Sequence, residues 1–236
     1  SLNAAQTDGK SYMPNHDTCD EDTSLRAART GDANVVHFDA PRNDVDLAIE
    51  ADPSLVGAVH LVVTGSGKTA PSLIREGEEL ILYQRGRFRG SGRPPTLLVP
   101  EQNCPPISGS HEKSELHFDH VAASISIKHG AGDVRVAEGD GDISIDSGKG
   151  DMTISGREGS QSLRLGMGDV RVARCRGAME ISLGKGDVHF DTCDGEIDLK
   201  LGSGDVAASD CSGGLAVKNR HGDVGVVPPR AALLSI

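Results

Sequence analysis

The fold is decided by residues 142–195, which read DISIDSGKGDMTISGREG, SQSLRLGMGDVRVARCRG and AMEISLGKGDVHFDTCDG when written in rows of 18. The same phase covers six Gly-Asp pairs at one constant interval, whose acidic members are Asp133, Asp151, Asp169, Asp187, Asp205 and Asp223. A constant period without slippage is typical of one supersecondary unit stacked on copies of itself. The spacing therefore predicts a solenoid.

Each row contains two short stretches in which apolar and polar residues alternate, for example around Ile181 and around Val188. Alternation with a period of two indicates half-buried strands, and the glycines between them fall where the chain reverses. We therefore predict an all-β fold, a single-stranded β-solenoid with 18-residue coils, two short strands per coil and a β-rich N-terminal cap. The predicted inward residues include Ile143, Ile145, Leu163, Leu165, Val170, Val172, Ile197 and Leu199.

Four segments follow from this pattern. Residues 1–33 are polar and patternless and are predicted to form an extended arm. Residues 34–105 are predicted to be a β-rich N-terminal cap section with an Arg/Pro-rich loop, and residues 106–227 the β-solenoid repeats, with a degenerate opening coil from Pro106. Residues 228–236 are predicted to be a C-terminal cap or tail. Caps are expected because an open coil end is an unpaired strand edge.

The cap section contains an echo of the repeat. In residues 35–52, Asn43-Asp44-Val45 stands where Gly-Asp-Val stands in the later coils. The distance from Asp44 to Asp133 is not a multiple of 18. This early coil is therefore predicted to lie outside the phase of the main array.

Charge and hydropathy narrow the function classes. The net charge of −11 argues against nucleic acid or an anionic membrane as the main partner. No run approaches the roughly 18 apolar residues of a membrane span, and no signal peptide precedes the first strand. Because the sequence starts at Ser1 and not at Met, it is compatible with the removal of a targeting segment by processing. The cysteine usage favours a reducing intracellular compartment.

The coils resemble a known family, the bacterial putative-adhesin β-strand repeat proteins. Its phrases GAGDVRV, GKGDV and GSGDV occur here at residues 130–136, 184–188 and 202–206. The resemblance covers residues 106–227 and implies a β-solenoid, but it brings no catalytic residues with it. A weaker similarity links the Gly-Asp phrases to bactofilins, which are cytoskeletal solenoids.

The six aspartates of the repeat need compensation, because carboxylates about 4.8 Å apart repel one another by about 1 kcal/mol per pair even in water. One interpretation is that each carboxylate accepts hydrogen bonds from backbone N–H groups of its own turn. The alternative is a calcium ladder formed by Asp133, Asp151, Asp169, Asp187, Asp205 and Asp223. Against calcium, the intervening half-coils lack the Gly-Gly-x-Gly-x-Asp phrase that calcium-binding rolls need.

Three cysteines, Cys175, Cys193 and Cys211, share one coil position. They are predicted to form a structural ladder of half-buried thiols, with a disulfide or a metal site as the alternatives. Residues 63–69 (VTGSGKT) resemble the end of a phosphate-binding loop but lack its first glycine and the following helix. The triplet His-Phe-Asp occurs at residues 37–39, 117–119 and 189–191, so it is predicted to be a strand motif with Phe inward.

Four arginines, Arg85, Arg87, Arg89 and Arg93, concentrate positive charge in an otherwise acidic chain. They are predicted either to be a solvated loop or to dock onto an acidic surface, including that of another copy. We therefore predict a non-catalytic structural scaffold or protein-interaction module without cofactor, acting in self-association or in a larger complex. The alternatives are a surface adhesin or glycan-binding module and a calcium-stabilised repeat protein.

Overall fold

The computed structural model describes residues 10–11, 23–29, 35–44, 46–55, 58–64, 72–76, 79–83 and 94–228. Within these ranges all regular structure is β, and 22 strands form two 11-stranded sheets. The predicted all-β class is therefore confirmed.

The two sheets face each other across one core. In spatial order, sheet 1 consists of β1 (Lys10–Ser11), β6 (Ser72–Glu76), β7 (Glu79–Tyr83), β3 (Val35–Asp44), β9 (Ile107–Lys113), β11 (Ile125–Ala131), β13 (Ile143–Lys149), β15 (Gln161–Met167), β17 (Met179–Lys185), β19 (Ile197–Ser203) and β21 (Leu215–Asn219). Sheet 2 consists of β2 (Thr23–Arg29), β5 (Ala58–Thr64), β8 (Thr96–Pro100), β4 (Leu47–Asp52), β10 (Leu116–Asp119), β12 (Val134–Asp140), β14 (Met152–Glu158), β16 (Val170–Ala173), β18 (Val188–Asp191), β20 (Val206–Ser209) and β22 (Val224–Val227).

Each coil of the repeat adds one parallel strand to each sheet. Ile125 pairs with Ile143 in sheet 1 and Val134 pairs with Met152 in sheet 2, so successive coils follow the predicted period. Ile107 pairs with Ile125 in the same phase, which confirms the degenerate opening coil. Seven coils run from β9/β10 to β21/β22 and form the predicted β-solenoid.

The core is a narrow double layer of aliphatic side chains. All eight of the predicted inward residues named above are buried. Phe118 and Phe190 are also buried, while the His and Asp that flank each of them lie outside the core. The strand interpretation of the His-Phe-Asp triplet is therefore confirmed at these two sites. Burying one such side chain contributes about 1.5–3 kcal/mol.

The first complete coil is out of chain order. The coil β3/β4 lies between β7/β8 and β9/β10 in both sheets. The chain therefore builds β7/β8 on the outer side of β3/β4 and then crosses it, through residues 101–106, to start β9 on the inner side. This crossing explains why the early echo of the repeat lies outside the 18-residue phase.

The echo is also displaced by two residues from its predicted alignment. Leu47 pairs with Leu116, which in turn pairs with Val134. Asp46, and not Asp44, thus occupies the coil position of Asp133. A shift of two leaves every side chain on the same face of the sheet, so the alternation of apolar residues could not distinguish the two registers.

Antiparallel strands end the stack on the N-terminal side. Strand β5 is antiparallel to both β8 and β2, while β6 is antiparallel to both β7 and β1. The described parts of the predicted polar arm, Lys10–Ser11 and Thr23–Arg29, are therefore strands paired with the cap section. At the other end, β21 and β22 are the outermost strands. No helix in the described ranges is long and apolar enough to cross a membrane.

Candidate functional site

The six repeated aspartates form one row along the corner where each coil passes from sheet 1 to sheet 2. We call this row the aspartate ladder, and its members are Asp133, Asp151, Asp169, Asp187, Asp205 and Asp223. The backbone N–H of each Asp from Asp151 onward donates to Oδ1 of the ladder Asp one coil earlier. The N–O distances are 2.9, 2.9, 3.0, 2.8 and 2.9 Å in chain order.

These bonds correct the predicted hydrogen-bond pattern. The five carboxylates from Asp133 to Asp205 accept from the neighbouring coil rather than from their own turn. The pattern extends upstream, since Glu115 N donates to Asp46 Oδ1 at 2.9 Å. The ladder thus fastens coil to coil, and this role explains why an acceptor on a short side chain recurs at this position.

The glycine before each ladder residue is required by the close stacking of the corners. Gly150 has φ 120°, and a Cβ there would overlap the carbonyl oxygen of Gly132 one coil below. In the opening coil the same position is held by Ser114, at φ 126°. A non-glycine residue with such a φ is strained, which marks this coil as a degenerate one in structure as well as in sequence.

The second carboxylate oxygen of Asp151 and of Asp169 contacts a cationic side chain. Arg171 places Nη1 3.9 Å from Asp151 Oδ2 and Nη2 3.5 Å from Asp169 Oδ2. One guanidinium therefore spans two neighbouring rungs. The outer residues of sheet 2 beside the ladder are, in order, Arg135, Thr153, Arg171, His189, Ala207 and Gly225.

The upstream and downstream halves of the ladder differ in whether a cationic side chain balances the charge of their carboxylates. Among the described residues, no Lys or Arg lies within ion-pair distance of Asp187, Asp205 or Asp223. Their flank is also the one with the smallest side chains, Ala207 and Gly225. The downstream half is therefore a row of carboxylates, half-buried at Asp187 and exposed at Asp205 and Asp223, that is open to an external cation.

The structure offers no coordination sphere for the calcium alternative in the part of the chain that it describes. There, no group of three or more His, Cys, Asp or Glu is arranged to hold a metal ion. Five of the ladder carboxylates have Oδ1 engaged by an amide, as described above. At Asp151 and Asp169, the contact with Arg171 adds to this hydrogen bond between coils.

The cysteine ladder lies on the inward side of the opposite corner. Cys175 and Cys193 are buried, Cys211 is half-buried, and all three are free thiols. Cys175 Sγ donates to Ala173 O at 3.3 Å, and burial raises the pKa of the Cys193 thiol to about 11. Thiols of this kind are unreactive, so the column has a packing role.

One functional side chain of this column was missed in the sequence. Arg157 holds the position of Cys175 one coil earlier and is fully buried. Its guanidinium donates to five backbone carbonyl oxygens, those of Val121, Glu138, Ala123, Asp140 and Gly141. Burial lowers its pKa below the usual range. The available signal was an Arg in an apolar column with Gly139 one coil below, where a Cβ would approach Arg157 Nη1 to 2.7 Å.

A second polar column lies inside the upstream coils. His111, His129 and Ser147 occupy one inward position on successive coils, and all three are buried. The rings of His111 and His129 are 5.7 Å apart between centroids. Burial, together with His111, lowers the pKa of His129 to about 4. His129 is therefore neutral at neutral pH.

A shallow groove follows the corner where each coil returns from sheet 2 to sheet 1. It has a volume of about 850 Å³. We call it the serine furrow, because its upstream walls carry the hydroxyls of Ser108, Ser124, Ser126, Ser144, Ser160 and Ser162. Its carboxylates are Asp142, Glu180, Glu196 and Asp198.

The remaining predicted positions, and the other cysteines and histidines of the chain, are dispersed. The side chains of Arg85, Arg87, Arg89 and Arg93, residues 65–69 of the phosphate-loop resemblance, and Cys19 lie outside the described residues. His120 Nδ1 is 3.0 Å from Asp119 Oδ1 on the exposed surface, and His117 pairs with Glu115 at 3.1 Å. Cys104 lies on the crossing segment, where burial raises its pKa to about 12.

Comparison with known proteins agrees with this architecture. The family model described as Toastrack DUF4097 matches residues 96–234, which is more than half of the chain. No curated protein matches the chain.

Several solved structures match the chain, among them two putative adhesins. A putative adhesin from Parabacteroides distasonis ATCC 8503 has a TM-score of 0.54 at 13% sequence identity, over 87% of this chain and 97% of that one. A putative adhesin from Parabacteroides merdae ATCC 43184 has a TM-score of 0.40 at 11% identity, over 91% of this chain and 100% of that one. The family match and the Parabacteroides distasonis structure confirm the resemblance to putative-adhesin repeat proteins, and at 13% identity the structural likeness concerns the fold alone.

Proposed function

The chain belongs to the Toastrack DUF4097 family, and from this premise we propose that it is a non-catalytic structural scaffold or protein-interaction module. It acts through its faces, in self-association or in a larger complex. The observation that carries the proposal is the aspartate ladder, a straight row of carboxylates held at a fixed spacing by hydrogen bonds to the backbone. Such a row is a preorganised surface for a cationic partner.

The contact of Arg171 indicates what that partner presents. Its guanidinium bridges Oδ2 of two neighbouring rungs, at 3.9 and 3.5 Å. Arginine suits this task because its planar fork can contact two carboxylates at once. The downstream rungs Asp187, Asp205 and Asp223 offer the same pair geometry without an ion pair of their own among the described residues.

The chain itself contains a matching segment. Arg85, Arg87, Arg89 and Arg93 lie in sequence between β7 of sheet 1 and β8 of sheet 2. We therefore propose that this segment of one copy docks on the downstream half of the ladder of another copy. Exposed charge pairs of this kind weaken as salt rises.

Sedimentation velocity at low and high salt tests this proposal. The wild type is expected to self-associate at low salt and to dissociate at high salt. Replacing Arg85, Arg87, Arg89 and Arg93 by Ser abolishes association, as does the triple variant Asp187→Asn/Asp205→Asn/Asp223→Asn. Asn removes the charge and keeps an oxygen acceptor for the neighbouring coil, so these variants stay folded.

The matched control is Asp133→Asn/Asp151→Asn/Asp169→Asn, in the half of the ladder that faces Arg135 and Arg171. This variant is expected to associate like the wild type. A wild type that stays monomeric at low salt and high concentration contradicts self-association, as does equal association of all four proteins.

The serine furrow supports a second candidate, a glycan-binding surface module. Its hydroxyls recur at every coil of the upstream half, about 4.8 Å apart, and could hydrogen-bond a polyhydroxylated chain lying along the axis. Calorimetric titration with soluble linear polysaccharides tests it. Ser126→Ala/Ser144→Ala/Ser162→Ala should abolish binding, whereas Ser182→Ala, on the outer face of β17 beyond the furrow, should not. Absence of heat with every polysaccharide contradicts this candidate.

A further inference from the structure

The last coil of the solenoid exposes side chains that every earlier coil buries. Val224 is 47% and Val226 is 56% exposed, whereas the residues that pair with them one coil earlier, Val206 and Ala208, are each 2% exposed. Val227 adds a further exposed apolar side chain, at 62%. The end of the stack is therefore an apolar surface bordered by two outer strands, β21 and β22.

Pro228 prevents the repeat from covering this end with another coil. It holds the position of Asp210 one coil later, where non-glycine residues adopt a left-handed backbone. The φ values there are 56° at His120, 50° at Glu138, 53° at Arg174, 54° at Thr192 and 50° at Asp210. The proline ring fixes φ near −65°, so Pro228 cannot form this corner.

The hydrogen bonding at the same position gives an independent reason. The backbone N–H groups of Arg174, Thr192 and Asp210 donate to carbonyl oxygens of the next coil, at 2.8, 2.9 and 3.2 Å. Proline has no N–H to donate. The chain must therefore leave the path of the solenoid at residue 228, with the apolar end still uncovered.

We propose that residues 229–236 (PRAALLSI) fold back across this end and cover Val224 and Val226. The segment carries the apolar residues Ala231, Ala232, Leu233, Leu234 and Ile236. Eight residues span up to about 26 Å, whereas the five residues of β21 span about 17 Å. The segment is thus long enough to cross the end of the stack.

The covalent connection favours this segment over a second copy as the occupant. A short linker holds it near the surface at an effective concentration in the millimolar range. The surface also needs cover, because β22 (VGVV) has no charged residue to deter pairing with a strand of another molecule. The tail thereby masks an edge that would otherwise pair end to end.

Hydrogen exchange and thermal unfolding of the full chain test the proposal. Leu233→Ser/Leu234→Ser is expected to speed amide exchange in β21 and β22 and to lower Tm by roughly 2–4 °C. In a chain of this size, that change in Tm corresponds to a loss of about 1 kcal/mol in the free energy of unfolding. A chain shortened to end at Pro228 should show the same faster exchange and lower Tm. It should also bind a hydrophobic dye. Arg230→Ser, which changes the same segment without removing apolar surface, should match the wild type.

Two outcomes overturn the proposal. One is unchanged exchange in β21 and β22, with unchanged Tm, in both the Leu variant and the shortened chain. The other is a wild-type dimer that persists in both of them with β22 protected, which would assign the end to a second copy. The Asn variants of the aspartate ladder leave this end intact, so lateral association and end covering are measured separately.

Discussion

The interior of the solenoid differs between its upstream and downstream coils, although all of them share one 18-residue register. Upstream, the inward columns hold His111, His129, Ser147, Arg157 and Gln161, all of them buried. Downstream, the same columns hold Leu165, Leu183, Leu201, Met179, Ile197 and the three cysteines of the ladder. Polar and apolar interiors thus support the same coil, because the backbone pairing and the aspartate ladder fix its geometry.

The polar side chains of these columns carry an energetic cost that the apolar side chains of the same columns avoid. Within the described chain, both ring nitrogens of His129, the hydroxyl of Ser147 and the side-chain amide of Gln161 are buried without a hydrogen-bond partner. A buried unsatisfied polar group costs about 1–3 kcal/mol. Variants that change the interior should therefore have larger effects upstream, while loss of the hydrogen bond between coils in the ladder should cost a similar amount in both halves.

The largest expected effect comes from Arg157. Arg157→Ala removes the donor for five backbone carbonyl groups and opens a cavity above Gly139. We expect a loss of about 3–5 kcal/mol in the free energy of unfolding, from the cavity and from the carbonyl groups that lose their donor. Urea unfolding measures it. Arg171→Ala removes an exposed guanidinium and should cost no more than about 1 kcal/mol; equal losses would contradict a structural role for the buried arginine.

The next effect is the pH dependence of the upstream core. The pKa of His129 is lowered from 6.5 to about 4, so the unfolded chain binds this proton at a higher pH than the folded chain. The stability that neutral His129 maintains above pH 6.5 is therefore lost as pH falls towards 4. The loss amounts to about 3 kcal/mol. Urea unfolding across this pH range measures it.

His129→Leu tests the assignment of that pH dependence, because Leu occupies the same column in the downstream coils. The variant should flatten the stability curve between pH 6.5 and 4. His189→Gln, which changes an exposed histidine, should keep the slope of the wild type. A His129→Leu protein with the slope of the wild type would show that other groups cause the dependence.

The smallest expected effect comes from replacing single residues of the aspartate ladder. It tests whether the hydrogen bonds between coils stabilise both halves of the solenoid alike. Asp151→Ala and Asp205→Ala each leave the amide of the next coil without its acceptor, at 2.9 Å in both cases. We expect each to cost about 1–2 kcal/mol, and the corresponding Asn variants to cost less. Thermal unfolding of the two Ala variants and the two Asn variants measures these losses. Losses that differ strongly between the two Ala variants would show that the ladder is not uniform.

Much of the fold could be predicted from residue types alone. The 18-residue spacing gave the coil, the alternation around Ile143 and Val170 gave the inward faces, and Pro106 marked the opening coil. The early echo was placed two residues away from its true register, because Asp44 and Asp46 lie on the same face. No local sequence pattern predicts that this coil lies between β7/β8 and β9/β10, because that position depends on where the chain crosses the stack.

The sequence predicted which residues form the candidate site, but not which hydrogen bonds they make. The spacing identified every rung of the ladder, yet the acceptor role between coils requires the amide direction at each corner. Arg157 escaped notice because a guanidinium is normally exposed, and only the five carbonyl oxygens around it make burial tolerable.

By itself, the sequence determined the period, the two-strand coil, the burial pattern and the residues that share each column, because these follow from local alternation and a constant repeat. The tertiary structure decided the chain order of the first coils, the bonding of the ladder and the polar interior of the upstream half. These depend on which backbone groups meet between coils, and residues far apart in the chain supply those groups.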